Sequence, residues 1–166
     1  MTRILIVDDH PLYLNALSAL VQIYFRNAHI LRAGSASEAK TIVRDHNRID
    51  WIFVNYFLPD CNGIELLKDL CQLICNAHIV LNSGNDRVEL VVEALDQGAR
   101  GFLSKSGSAA DVFKCLDKIS AGDIYLAPDM QKQVRNYRST IQEEKKRISH
   151  QISKRQKEVL LLLSAG

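Results

Sequence analysis

The stretch ILIVDDHP, residues 4–11, decides the fold, because four apolar residues run directly into two adjacent carboxylates. A dense apolar run without polar alternation is typical of a strand in a sheet that is covered on both faces. Residues 12–25 follow with apolar side chains at helical spacing. The opening of the chain therefore predicts a buried strand that passes into a helix.

The same succession of strand and helix recurs along the chain. The predicted strands are residues 4–7, 28–31, 51–54, 79–81 and 102–103, and the predicted helices are residues 12–25, 39–45, 64–73, about 86–97 and 106–121. Before the second helix, Ser35 and Glu38 have the spacing of a capping box. Five repeats of this size predict an α/β fold with a parallel sheet and right-handed crossovers.

Polar side chains stand at or just after the ends of four of these strands. They are Asp8, Asp9, Asn55, Ser83 and Lys105. Ligands of open parallel sheets bind outside the carboxyl ends of the strands. We therefore expect these five side chains to meet at one edge of the sheet and to form one site.

The acidic part of this cluster favours a magnesium ion. Mg²⁺ is bound in proteins through one or two carboxylates, together with phosphate and water oxygens. Asp8 and Asp9 supply two carboxylates, and the side-chain carbonyl of Asn55 and the backbone carbonyl of Phe57 supply two further oxygens. The sequence therefore predicts Mg²⁺ as the cofactor, with these four residues as its ligands.

The remaining two residues suit a phosphoryl group. Ser83 can donate a hydrogen bond to one phosphoryl oxygen, and Lys105 can neutralise another as a point charge. Taken singly, each residue has a simpler explanation: the Asp pair or Ser83 as a helix cap, and Lys105 as a solvated surface lysine. Their joint position at one sheet edge favours the phosphoryl pocket.

Four motifs, in order and at matching spacing, resemble one family. They are ILIVDDHP at 4–11, LP-x-x-NG at 58–63, the strand end at 81–83, and GA-x-GFL-x-K at 98–105. Over residues 1–122 the chain resembles the receiver domains of response regulators, and among them the NarL/LuxR-type transcription regulators. The resemblance implies a flavodoxin-like sheet with strand order 2-1-3-4-5.

The resemblance also implies a function and a set of roles. A histidine kinase would transfer a phosphoryl group to an Asp at position 55, beside the metal site at Asp8 and Asp9. Ser83 would follow the phosphoryl group, the ring of Phe102 would change rotamer behind it, and Lys105 would pair with the acyl phosphate. The fourth helix, the fifth strand and the fifth helix would form the surface that changes.

Residue 55 departs from the family pattern, because Asn stands three residues before Leu58-Pro59 where Asp is expected. A carboxylate attacks phosphorus as an anion, whereas a carboxamide is neutral and its lone pair is delocalised. We therefore expect no acyl phosphate at Asn55, an intact fold and weakened Mg²⁺ binding. Two explanations stay open: an engineered replacement that locks the unphosphorylated state, or a natural pseudo-receiver controlled by partner or ligand binding.

The region after the receiver is predicted to be helical. Residues 123–151 are interpreted as a linker, in which Val134, Ile141 and Ile148 recur every seven residues; a homodimer contact is the second interpretation. Residues 152–166 resemble the first helix of a LuxR-type helix-turn-helix domain, without its turn and recognition helix. We therefore expect this chain not to recognise a DNA site, and expect the whole regulator to bind DNA.

Composition excludes several other classes. An apolar fraction of 47% and a net charge of +2 indicate a globular protein without a charge-driven attraction to nucleic acid. No apolar window reaches the length of a membrane span, so we expect a cytoplasmic protein with four reduced cysteines.

A Mg²⁺-dependent phosphatase or phosphotransferase is a weaker alternative, because haloacid-dehalogenase-type enzymes have a D-x-D pair whereas Asp8 and Asp9 are adjacent. No catalytic residue is predicted.

Overall fold

The computed structural model of the chain describes residues 1–46 and 48–164, and it contains a five-stranded sheet in the order β2-β1-β3-β4-β5. The strands are β1 (Arg3–Val7), β2 (His29–Ala33), β3 (Trp51–Asn55), β4 (His78–Ser83) and β5 (Gly101–Ser104), and every neighbouring pair is parallel. The α/β fold and the flavodoxin-like strand order are therefore confirmed.

The described residues form six helices. They are α1 (Pro11–Tyr24), α2 (Ala36–Asp45), α3 (Gly63–Leu73), α4 (Val88–Asp96), α5 (Ala109–Ser120) and α6 (Pro128–Ser164). Buried side chains of α1 and α5, such as Leu17 and Leu116, pack against Ile4, Ile6 and Phe53 on one face of the sheet. The helices α2, α3 and α4 form the layer on the other face. The central strands are therefore enclosed on both sides, as their unbroken apolar runs predict.

Several helices begin at positions that differ from the prediction. The helix α2 begins at Ala36 because Ser35 is its N-cap and accepts a hydrogen bond from the backbone of Glu38. The predicted capping box is only half formed, since the Glu38 carboxylate accepts from the backbone N–H of Gly34 instead. A complete capping box, between Ser108 and Asp111, starts α5.

The chain that leaves α5 returns to the sheet. Tyr125 forms a parallel bridge with Gly101, in which the N–H of Phe102 donates to the Tyr125 carbonyl at 3.1 Å and the N–H of Tyr125 donates to the Arg100 carbonyl at 2.9 Å. The outer edge of β5 is therefore occupied by residues of the same chain. The first compact unit runs from Met1 to Pro128, and a second unit begins at Asp129.

The second unit is a continuation of α6, which is one helix of 37 residues. It runs without interruption from Pro128 through the rest of the predicted linker and into the segment expected to begin a helix-turn-helix domain, whereas residues 123–127 of the predicted linker precede the helix. The large side chains of Ile148 and Ile152 are exposed on it. Among the residues that the structure describes, no helix is both long and apolar enough to cross a membrane.

Candidate functional site

The carboxyl ends of β1, β3 and β5 bring acidic, amide and basic side chains together. Asp8 follows β1 directly, and its N–H donates to the Ala33 carbonyl of β2 at 2.9 Å. Asn55 is the last residue of β3, and Lys105 follows β5, where its N–H donates to the Ser83 carbonyl at 2.8 Å. The parallel register therefore places these side chains at one edge, as predicted.

Asp8 and Lys105 form an ion pair inside the site. The Asp8 side chain is fully buried, and its Oδ2 lies 2.7 Å from Lys105 Nζ. The Lys105 side chain is only 18% exposed, and Nζ lies 4.6 Å from the centroid of the Tyr13 ring. Burial raises the pKa of Tyr13, and the negative charge of Asp8 raises it further. Lys105 is therefore held by a carboxylate and an aromatic ring and is not a solvated surface lysine.

His10 joins the two carboxylates at the mouth of the site. Its Nδ1 lies 3.2 Å from Asp8 Oδ1 and 3.0 Å from Asp9 Oδ1, and its backbone N–H donates to Asp8 Oδ1 at 2.9 Å. Asp8, Asp9 and His10 form a group whose ligand atoms are close enough to hold a metal ion. The N-cap of α1 is His10, so the simpler interpretation of the Asp pair as a helix cap is wrong. Sequence reasoning missed His10, although it adjoins the pair.

The Asn55 carboxamide lies at the centre of the acidic cluster. Its Nδ2 donates to Asp8 Oδ1 at 3.4 Å, to Asp9 Oδ1 at 3.2 Å, and to the backbone carbonyl of Phe57 over a shorter distance. Asn55 is 1% exposed. The four residues expected to bind Mg²⁺ therefore converge, but the nitrogen end of the amide faces the other three.

The loop after β3 holds the Phe57 carbonyl in place. Phe57 is bridged to Asn62, whose side chain accepts hydrogen bonds from the first turn of α3, and the N–H of Gly63 donates to the Tyr56 carbonyl at 2.6 Å. Further along this loop, Asp60 accepts from the backbone N–H groups at the start of α2, and these bonds lower the pKa of Asp60. The loop is thus held by hydrogen bonds to the N-termini of two helices, α2 through Asp60 and α3 through Asn62.

Among the described residues, no recorded side-chain hydrogen bond joins Ser83 or Phe102 to Asp8, Asp9 or Asn55. The Ser83 hydroxyl is buried and accepts from the N–H of Asn85 at 2.9 Å. Since α4 begins at Val88, Ser83 is not the cap of that helix. Phe102 is also buried, in β5, where it is paired in register with Leu81. Their roles in a switch stay predictions.

A second carboxamide, that of Asn82, was not among the residues predicted for the site. Asn82 pairs in register with Asn55 on one side and with Leu103 on the other, and it is fully buried. In the part of the chain that the structure describes, neither polar atom of its side chain has a hydrogen-bond partner. The signal was an Asn within an otherwise apolar strand, which is unusual enough to be noticed.

Comparison with known proteins places this arrangement in a family. The model of the response regulator receiver domain matches residues 4–117. The chain belongs to this family. The receiver is similar in structure to a two-component response regulator of the LuxR family from Aurantimonas sp. SI85-9A1, with a TM-score of 0.72 and 26% identity, covering 84% of this chain and 99% of that one. A CheY-like receiver from Methanospirillum hungatei JF-1, at 22% identity and a TM-score of 0.66 over 80% of this chain and 98% of that one, supports the fold alone.

Curated relatives of this receiver are named as regulators. The glycerol metabolism activator of Pseudomonas putida is 27% identical over 84% of this chain and 62% of that protein. The nitrate/nitrite response regulator protein NarL of Escherichia coli (strain K12) is 28% identical over 98% of this chain and 75% of that protein. The transcriptional regulatory protein UhpA of Salmonella typhimurium is 31% identical over 78% of this chain and 64% of that protein. The chain thus spans less than two thirds of the first and third of these relatives.

Proposed function

We propose that this chain is the receiver part of a two-component transcription regulator and that Asn55 keeps it in the unphosphorylated state. The observation that supports this most directly is the position of Asn55 at the end of β3, within hydrogen-bonding distance of Asp8 and Asp9. In the family pattern this position carries the Asp that a histidine kinase phosphorylates. A neutral carboxamide lacks the anionic oxygen that attacks phosphorus, so the transfer fails at its first step.

The other residues of the site keep their proposed roles. Lys105 would neutralise a phosphoryl oxygen, and its ion pair with Asp8 holds its Nζ at the site. Ser83 and Phe102 would form the part that moves when a phosphoryl group is present, biasing a two-state equilibrium. With Asn rather than Asp at position 55, the site has one negative charge fewer, so we propose that Mg²⁺ binds only weakly.

The domain arrangement is proposed on the same basis. Residues 1–122 would be the receiver, 123–151 the linker and 152–166 the start of a LuxR-type helix-turn-helix domain, with the helix of the linker beginning only at Pro128. The whole regulator would bind DNA through the recognition helix of that domain, in the cytoplasm. The similarity to the transcriptional regulatory protein UhpA supports this proposal. A homodimer is a secondary part of it.

A phosphorylation-independent pseudo-receiver is the second candidate, and one observation favours it. The Asn55 amide has acceptors in three different residues, so the fold accommodates Asn there without leaving the nitrogen unpaired. Such a module would act through partner binding alone. A Mg²⁺-dependent phosphatase is less well supported, and turnover of a phosphomonoester that Asp9→Ala abolishes would be needed to favour it.

Acetyl phosphate tests the leading proposal. We expect incubation with acetyl phosphate and Mg²⁺, followed by intact-mass measurement, to give a phosphate adduct on the Asn55→Asp variant and none on the original chain. The Asn55→Asp, Lys105→Ala double variant is the matched control and should lose most of the adduct. If Asn55→Asp is folded but stays unmodified, the site is a degenerate receiver and the second candidate is correct.

A further inference from the structure

The amide nitrogen of Asn55 lies where three oxygen ligands converge. Asp8 Oδ1, Asp9 Oδ1 and the Phe57 carbonyl oxygen all accept hydrogen bonds from this one atom. These three oxygens belong to three of the four residues proposed as Mg²⁺ ligands, the fourth being Asn55 itself. A single nitrogen that contacts all three takes the position at which their lone pairs would meet a cation.

The neighbours of Asn55 dictate the orientation of its carboxamide. A carboxylate and a backbone carbonyl are acceptors only, whereas an amide has a donor end and an acceptor end. Turning the oxygen of Asn55 toward Asp8, Asp9 and Phe57 would bring four acceptors together without a proton between them. The nitrogen end, and not the carbonyl oxygen that could ligate a metal, therefore contacts the three oxygens.

The oxygens of both carboxylates already have polar neighbours in this arrangement. Asp8 Oδ2 is paired with Lys105, and the Oδ1 atoms of Asp8 and Asp9 lie near the His10 ring. The Asn55 amide supplies the remaining donor from a position that is almost fully buried. A metal ion entering here would leave the buried N–H groups of the amide without acceptors, which is costly where water cannot replace them.

We infer that the Asn55 carboxamide takes the place of the cation and closes this receiver pocket to divalent metal by occupying it, in addition to lacking a charge. In this arrangement the residues fit Mg²⁺ poorly, so its binding is weakened by the position of the amide as well as by the missing charge. The inference deepens the proposed function, on whose ligand set it rests. It also distinguishes two causes of weak metal binding at residue 55: the missing negative charge and the space that the side chain fills.

The Asn55→Ala variant tests this separation, because Ala and Asn are both neutral. Mn²⁺ serves as the probe, and free Mn²⁺ is followed by electron paramagnetic resonance with the complete chain. If occupancy excludes the metal, Asn55→Ala should bind Mn²⁺ at least about tenfold more tightly than the original chain, as expected for the loss of competing hydrogen bonds. If charge alone matters, Asn55→Ala binds no better than the original chain, because it has lost an oxygen ligand, and the inference is overturned.

Control variants show whether the Mn²⁺ binds in this pocket. Adding Asp9→Ala to Asn55→Ala should abolish the gained Mn²⁺ binding; binding that persists lies elsewhere and overturns the inference. Asn55→Ser, which is also small and neutral, should reproduce the gain and replaces Asn55→Ala if circular dichroism shows that the alanine variant is unfolded. The phosphate-adduct experiment measures phosphorylation of Asn55→Asp, whereas this one measures Mn²⁺ binding to Asn55→Ala. Either proposal can therefore fail without the other.

Discussion

Asn55 and Asn82 are neighbours across β3 and β4, and their two carboxamides have opposite surroundings. The Asn55 nitrogen has three acceptors at the mouth of the site. The Asn82 side chain is fully buried, and within the described ranges its nitrogen and oxygen have no hydrogen-bond partner. A buried polar group without a partner lowers the stability of the folded state. The Asn55 amide therefore contributes hydrogen bonds to the pocket, whereas the unpaired Asn82 amide lowers the stability of the folded state.

Replacing Asn82 by Val is expected to stabilise the receiver by about 1–2 kcal/mol, because the unpaired amide is removed and a β-branched side chain suits a central strand. Urea unfolding followed by circular dichroism measures the change in the free energy of unfolding. Asn82→Thr is the matched control: it has the shape of Val but retains a hydroxyl, so it should gain less. If both variants are less stable than the original chain, the amide has a partner such as a bound water.

At the scale of elements, the junction between β3 and α3 determines the geometry of the site. Gly63 is the first residue of α3, and a Cβ atom there would meet the backbone carbonyl oxygen of Asn55 and would lie 2.8 Å from the Cα of Tyr56. These are backbone atoms, which cannot turn aside as a side chain can. The close approach of helix and strand thus requires glycine at this position.

The Gly63→Ala variant is therefore expected to lose about 1–3 kcal/mol of stability, the usual range for forcing an extra methyl group into a packed region. Thermal and urea unfolding measure the loss. Gly84→Ala is the matched control, because a Cβ atom at Gly84 meets no heavy atom within 4 Å. That variant should stay within about 0.5 kcal/mol of the original chain. Equal stability of the two variants would show that the β3–α3 junction can relax.

Most of the elements, but less of the site, could be predicted from the sequence. Unbroken apolar runs predict the strands. Asp8, Asn55 and Lys105 are predicted to lie together because they stand at the carboxyl ends of parallel strands. The direction of the Asn55 amide depends on which atoms of other strands and loops surround it, and no pattern within β3 carries that information. The start of α4 at Val88 was also unpredictable, because Ser83 bonds to a turn rather than to the helix.

At the scale of the whole molecule, the two units differ in how their helices are stabilised. The helices α1 and α5 bury apolar side chains against the sheet, whereas every described side chain from residue 142 to residue 153 of α6 is exposed. A helix without a buried face relies on its own hydrogen bonds and opens locally at low cost. The middle of α6 is therefore expected to open more readily than the receiver.

Limited digestion with trypsin should cut first after Lys145, Lys146 or Arg147, and a receiver fragment should persist. Each of these residues is exposed on α6. Mass spectrometry of the early products identifies the sites. Changing all three residues to Gln should remove these cuts without altering the melting temperature of the receiver. A first cut between Met1 and Pro128 would contradict the expected order of opening.

The return of the chain to β5 has a consequence for how copies of the molecule meet in concentrated solution. A sheet edge with free N–H and C=O groups invites strands from other molecules and promotes aggregation. Here Tyr125 bonds to the edge of β5, while the opposite edge, β2, carries the exposed side chains of His29 and Arg32. The Tyr125 bridge on β5 and the exposed polar side chains on β2 therefore both disfavour the pairing of this sheet with a strand of another molecule.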